Sequence, residues 1–363
     1  MAGQSTHRIP VWAVLAPFAA GGVLALKLTG MISATAPAIL ALAVALLGIS
    51  VFAAVHHAEA LALKVGEPFG SILLAIAVTV IEVALIVSIL LSEAPGSSAV
   101  ARDTVFSAVM IVLNGVIGLC LVLGGRRHFQ QSFQVEGASA TLAVLGTLAV
   151  FALVMPNFTD ATRGPNYAPV QLLVVGLVSL ALYVVFVFVQ TVRHREYFLD
   201  ETVAVPAFIA PSNAVAAASA VLLMLSLAAV VLLAKLLSYP LTLAVQNAGL
   251  PPSFVGVVIA AVVLLPEGLA AMNAALSNRL QSSINLALGS AVASIGLTIP
   301  AVAAVSLVFG VPLILGLSDE DMVLLMLTLF AATLTLGTGR TTVLQGAVHL
   351  VIFSVFLLLS VIP

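Results

Sequence analysis

Two glutamates sit where their neighbours give them no charged company. Glu82 lies in the middle of AIAVTVIEVAL, 75–85, and Glu267 in the middle of AAVVLLPEGLA, 260–270. A carboxylate is a hard oxygen ligand. It suits a hard cation such as Ca²⁺ or Na⁺, or it takes a proton. It does one or the other, because coordination requires the deprotonated form. Two carboxylates neutralise one Ca²⁺ or hold protons in its place. Such mutually exclusive occupancy exchanges a cation for protons without ATP, and no GxxxxGK[ST] phosphate loop occurs in the chain.

Further polar residues surround the pair. Each glutamate is followed by a second apolar run with a polar stripe. In the first, Ser107, Asn114 and Gly118 are spaced by seven and four; in the second, Ser283, Ser290 and Ser294 repeat that spacing and Thr298 extends it. Such steps keep residues on one helix face. Thr79, which precedes Glu82, Asn114, Ser290 and Ser294 are candidate cation ligands. Pro266, directly before Glu267, removes a helical hydrogen bond and frees a carbonyl beside the carboxylate. Ser and Asn also pin helices together, and Ser107, Ser283 and Thr298 read that way. The cluster HHAE (His56, His57, Glu59) has residues that ligate zinc. It lacks the HExxH order and reads as a solvated cap at a span end. His349 reads as a satisfied polar residue. A lone Cys120 rules out an intrachain disulfide.

The elements that carry these residues follow from composition. The chain is 62% hydrophobic and 7% charged over 363 residues, whereas soluble domains carry about a quarter charged residues. Its surface must face lipid. Eleven apolar runs could reach the ~20 residues of a membrane helix: 11–30, 35–55, 68–92, 104–124, 138–155, 169–191, 212–236, 253–276, 283–309, 322–339 and 342–361. None alternates as a barrel strand would. The expected fold class is all-α, a polytopic membrane bundle of about eleven helices. The first run follows His7 and Arg8 and precedes SATA, 33–36, a pattern shared with secretory signals; it is read as a retained helix. Twelve of the fourteen acids fall at run ends or between runs; Glu82 and Glu267 do not. A mid-membrane carboxylate costs roughly 2.5–3.5 kcal/mol on insertion scales and marks a cavity or a ligand site.

The matching surroundings of the two glutamates imply a duplication, spans 2–6 against 7–11. Five spans per copy means that the second copy enters the membrane from the opposite side, the inverted repeat of transporters. The expected divisions are a first helix, 1–32, a repeat, 33–192, a cytoplasmic linker, 193–211, and a second repeat, 212–363. Lys and Arg favour cytoplasmic loops. Arg8, Lys64, Arg126, Arg127, Arg193, Arg195, Arg279 and Arg340 fall on the N-terminal side, and Lys27, Arg102, Arg163 and Lys235 on the other. The N-terminus is therefore expected in the cytoplasm and the C-terminus outside.

GEPFGSILLAIAVTVIEVALI, 66–86, and LLPEGLAAMNAALSNRLQSSINLALGSAVASIGLTIP, 264–300, closely resemble the two alpha-repeat motifs of the calcium/cation antiporter superfamily, best its bacterial ChaA-type calcium/proton branch. ARDTVFSAVMIVLNGVIGL, 101–119, RHREYFL, 193–199, and GAVHLVIF, 346–353, fit the same branch. The resemblance implies eleven helices, alternating access, and Glu82 and Glu267 as cation and proton sites in the cell membrane. No cofactor is called for; the cation and protons are substrates, the bilayer is the surroundings, and a net charge of −2 gives no hint of nucleic acid. Beside a Ca²⁺/proton antiporter, three readings stay open: a Na⁺ or K⁺/proton antiporter, an intramembrane metalloenzyme built on His56, His57 and Glu59, and a passive cation channel.

Overall fold

The computed structural model describes residues 9–31, 37–66, 69–92, 96–162, 164–199 and 210–363. His7, Arg8, SATA, Glu67, Pro68, Glu93, Arg163, Asp200 and Glu201 lie outside them. Eleven helices follow in order: α1 (Val11–Leu28), α2 (Pro37–Val65), α3 (Phe69–Leu90), α4 (Ser97–His128), α5 (Val135–Phe158), α6 (Pro169–Arg193), α7 (Asn213–Asn247), α8 (Phe254–Leu276), α9 (Leu280–Phe309), α10 (Asp319–Leu336) and α11 (Val343–Val361). All except α10 are long and apolar enough to cross a membrane by composition alone. α10 differs by three acids in its first turn, Asp319, Glu320 and Asp321. The fold class is all-α, since a helix satisfies every backbone group within one segment and lipid offers no other partner.

The helix ends follow local chemistry. Pro169 opens α6 at a position where its missing N–H costs nothing. Ser318 Oγ accepts from the Asp321 backbone N–H at 3.3 Å, and the acids beside it complement the helix dipole. The Thr342 N–H donates to Gln345 Oε1 at 2.6 Å at the start of α11. A two-residue antiparallel ribbon, β1 (Gln131–Ser132) with β2 (Arg340–Thr341), ties the segment after α4 to the segment after α10.

Two helix ends differ most from expectation. α2 runs to Val65, ten residues past the expected end of its run, and α7 runs to Asn247, eleven past. HHAE therefore lies inside α2, and Lys235 inside α7. Ala, Leu, Glu and Lys are good helix formers, so the helix continues where the apolar run stops.

The chain divides into two compact units. The first comprises residues up to Ser92 together with Ala204–Ala244. In it α1 packs on α2 and α2 on α3. Ala13 and Ala16 meet Ala53, and Ala20 and Val23 join Ala43, Leu46 and Leu233. The second comprises Glu93–Val203 and Val245–Pro363. Its centre is α4, buried along most of its length and packed on α8 and α11. α9 packs on α8, α5 and α6, and α10 on α5. Glycine sets these approaches: a Cβ on Gly256 would meet the Asp103 carbonyl carbon at 2.5 Å, and one on Gly346 would meet the Gly118 carbonyl oxygen at 2.8 Å. Small residues at membrane helix crossings act in this way.

Candidate functional site

Glu82 occupies the middle of α3 and is 2% exposed. Thr79, one turn earlier, is buried as well. Three residues apart on a helix, the two share a face. Both belong to the first unit.

The remaining candidates belong to the second unit. Glu267 is 9% exposed in the middle of α8, directly after Pro266, which lies inside the helix. The next residue, Gly268, presses α8 onto α4; a Cβ there would meet Val116 Cγ2 at 3.3 Å. Val116 ends a π-helical segment of α4, Ile111–Val116, that contains Asn114. The corresponding helix of the second repeat, α9, carries a π segment too, Ser294–Thr298, which opens on Ser294. π segments upset the regular hydrogen-bond ladder and concentrate at functional sites. Each glutamate helix is thus followed by a helix with a π segment at its polar stripe.

The stripe residues divide by surroundings. Asn114 is fully buried. Its Nδ2 donates to Thr328 Oγ1 at 2.8 Å, and its Oδ1 lies 3.0 Å from His349 Nδ1. His349 Nε2 lies 3.1 Å from Thr335 Oγ1, so both ring nitrogens are engaged. Ser294 is 4% exposed, while Ser290 is half-buried. Ser283 hydrogen-bonds the Cys120 thiol, which pins α9 to α4. The Thr298 hydroxyl is buried without a hydrogen-bond partner among the described residues. Thr328 and Thr335 were not singled out from sequence. They stand seven apart on α10, the same spacing that marked the stripes of α4 and α9.

HHAE corrects the expectation of a solvated cap. His57 is fully buried, and its Nε2 lies 3.2 Å from the Ala13 carbonyl oxygen of α1. His56 packs against Trp12, with ring centroids 5.8 Å apart, and Glu59 is exposed. The three do not converge, and among the described residues no three His, Cys, Asp or Glu side chains gather as a metal cluster. Separately, a cavity of about 220 Å³ is lined by Asp103, Ser107, Glu320 and Asp321, with Arg102 among them. Arg102 pairs with Asp103 at 2.7 Å and donates to the Gly316 carbonyl at 3.1 Å.

Comparisons with known proteins identify the family. The model of the sodium/calcium exchanger protein family matches residues 35–192 and 218–362. The chain is 59% identical to the protein y4hA of Sinorhizobium fredii over 363 residues, 99% of this chain and 98% of that one. It is 36% identical to the sodium-potassium/proton antiporter ChaA of Escherichia coli over 334 residues, 90% of each chain. The solved structure of native YfkE superposes with a TM-score of 0.75 at 15% identity, over 97% of this chain and 100% of that one. That likeness extends the fold over both halves of the sequence. The chain belongs to the sodium/calcium exchanger protein family and is a multi-pass membrane cation antiporter, not an enzyme.

Proposed function

We propose that this antiporter exchanges Ca²⁺ for protons by alternating access, with Glu82 and Glu267 each taking cation or proton in turn. Thr79, Asn114, Ser290, Ser294 and the carbonyls released by Pro266 supply neutral oxygens. The N-terminus lies in the cytoplasm and the C-terminus outside. The observation that supports the reading is that Glu82 and Glu267, the mid-helix carboxylates of the two repeats, are both buried. Ca²⁺ is favoured by the fold match to YfkE, a Ca²⁺/H⁺ antiporter. A second reading, Na⁺ or K⁺ against protons, is favoured by the 36% identity to ChaA, a sodium-potassium/proton antiporter.

Competition between cation and proton tests the exchange. Coordination needs deprotonated carboxylates, so binding releases protons and weakens as pH falls. The expected loss of affinity is up to about tenfold per pH unit for each proton exchanged. Titration calorimetry with Ca²⁺ and with Na⁺, in two buffers of different ionisation enthalpy, reads the released protons directly. A binding heat independent of buffer, with affinity flat across neutral pH, would replace the antiporter by a channel or uniporter. Everted vesicles energised with a proton gradient and challenged separately with Ca²⁺, Na⁺ and K⁺ decide between the two readings.

A further inference from the structure

The motif GAVHLVIF, 346–353, lies on α11, and nothing above gives it a part in exchange. Its glycine is a close-approach residue, since a Cβ on Gly346 would meet Gly118 O and Val122 at 2.8 Å. Gly115 and Gly118 make room in turn for Phe353 and His349. α11 is therefore seated on the π segment of α4. From that seat His349, 1% exposed, reaches Asn114.

The hydrogen bonds form one chain across three helices. Thr335 on α10 meets His349 on α11, His349 meets Asn114 on α4, and Asn114 returns to Thr328 on α10. With Asn114 Nδ2 donating to Thr328, Oδ1 must accept, so His349 Nδ1–H donates to it. Nε2 of the neutral ring then accepts from the Thr335 hydroxyl. The ring thereby fixes the plane of the amide. An Asn amide is otherwise free about a broad terminal torsion. Its oxygen has two lone pairs, so one bond from His349 leaves the second lone pair for a cation.

We infer that His349 is a positioning residue for cation binding: it holds the Asn114 amide in the orientation in which the remaining lone pair of its oxygen meets the cation. The inference rests on the reading of Asn114 as a ligand. It gives α11 a part in affinity through Asn114.

The test is cation-driven proton movement in everted vesicles, with Ca²⁺ and with Na⁺ as probes. His349→Ala should raise the apparent KM about tenfold, the worth of one buried hydrogen bond, and by more than it lowers the maximal rate. His349→Asn, whose amide falls near Nδ1, should restore the KM; His349→Gln, which reaches the Nε2 position, should not. In an Asn114→Ala background, His349→Ala should add nothing further, because its effect runs through the amide. Should His349→Ala fail to fold, the contrast between the Asn and Gln variants decides. A parent-like KM in Asn114→Ala would remove Asn114 from the ligands and fail the underlying reading. A shifted KM there, with a parent-like KM in His349→Ala or with effects that simply add, would overturn the inference alone and leave His349 as a helix tie.

Discussion

A charge in an apolar run is the plainest signal a membrane sequence can give, because lipid makes it costly. Glu82 and Glu267 were legible on that ground, and both are buried. What surrounds a residue was less legible. Asn114 is bonded to partners 214 and 235 positions away, which no local pattern announces. HHAE was misread for a related reason: the apolar run ends at Val55, but the helix continues and carries His57 onto α1. The residue-scale prediction concerns the pair of acids. Gln matches Glu in shape and stays polar, but it carries no charge and takes up no proton. Glu82→Gln and Glu267→Gln should each abolish coupled exchange and leave expression and membrane insertion intact. Transport assays on both variants, with immunoblots of the membrane fraction, check this. A parent-like rate in either would take that residue out of the mechanism.

At the scale of elements, every apolar run became a helix, since twenty apolar residues in lipid have no other way to satisfy their backbone. The π segments at Ile111–Val116 and Ser294–Thr298 could not be foreseen. One extra residue in a turn leaves the composition of the run unchanged, and composition is what marks a membrane helix. Close approach was legible only as a general abundance of small residues; which glycine faces a backbone needs the fold. Gly256 does: a Cβ there would lie 2.6 Å from the Thr104 nitrogen and 2.5 Å from the Asp103 carbonyl carbon. Backbone cannot yield as a flexible side chain can. Gly256→Ala should therefore separate α8 from α4 and destabilise by about 1–3 kcal/mol, the usual cost of overpacking. Gly21, on α1, has nothing within 4 Å of its added Cβ. Gly21→Ala should be neutral or stabilising by about 0.5–1 kcal/mol, because Ala is the better helix residue. Thermal unfolding in detergent, followed by size-exclusion recovery, compares the two. Equal melting points would show that the α4–α8 contact tolerates a side chain.

At the scale of the whole molecule, the question is parity. An inverted repeat needs an odd number of crossings per copy. The sequence predicted eleven, and composition alone supports ten, because α10 opens on Asp319, Glu320 and Asp321. The three acids do not argue against a crossing. They occupy the first turn, where Ser318 caps the helix and the dipole favours negative charge. The residues beyond them, from Met322 to Leu336, are free of charge. With a cytoplasmic N-terminus, nine crossings place this acidic turn on the outer face, and Arg126, Arg127, Arg193, Arg195, Arg279 and Arg340 on the inner one, as the preference of Lys and Arg for the cytoplasm requires. Lys235, counted among the outer charges, lies within α7 and so weakens the minority side. Two reporters settle the parity. One inserted between Arg193 and Leu199 follows six crossings and should read as cytoplasmic. One fused after Pro363 follows eleven and should read as external. If both read as cytoplasmic, α10 does not cross, the second repeat has four spans, and the two glutamates are not related by an inverted duplication.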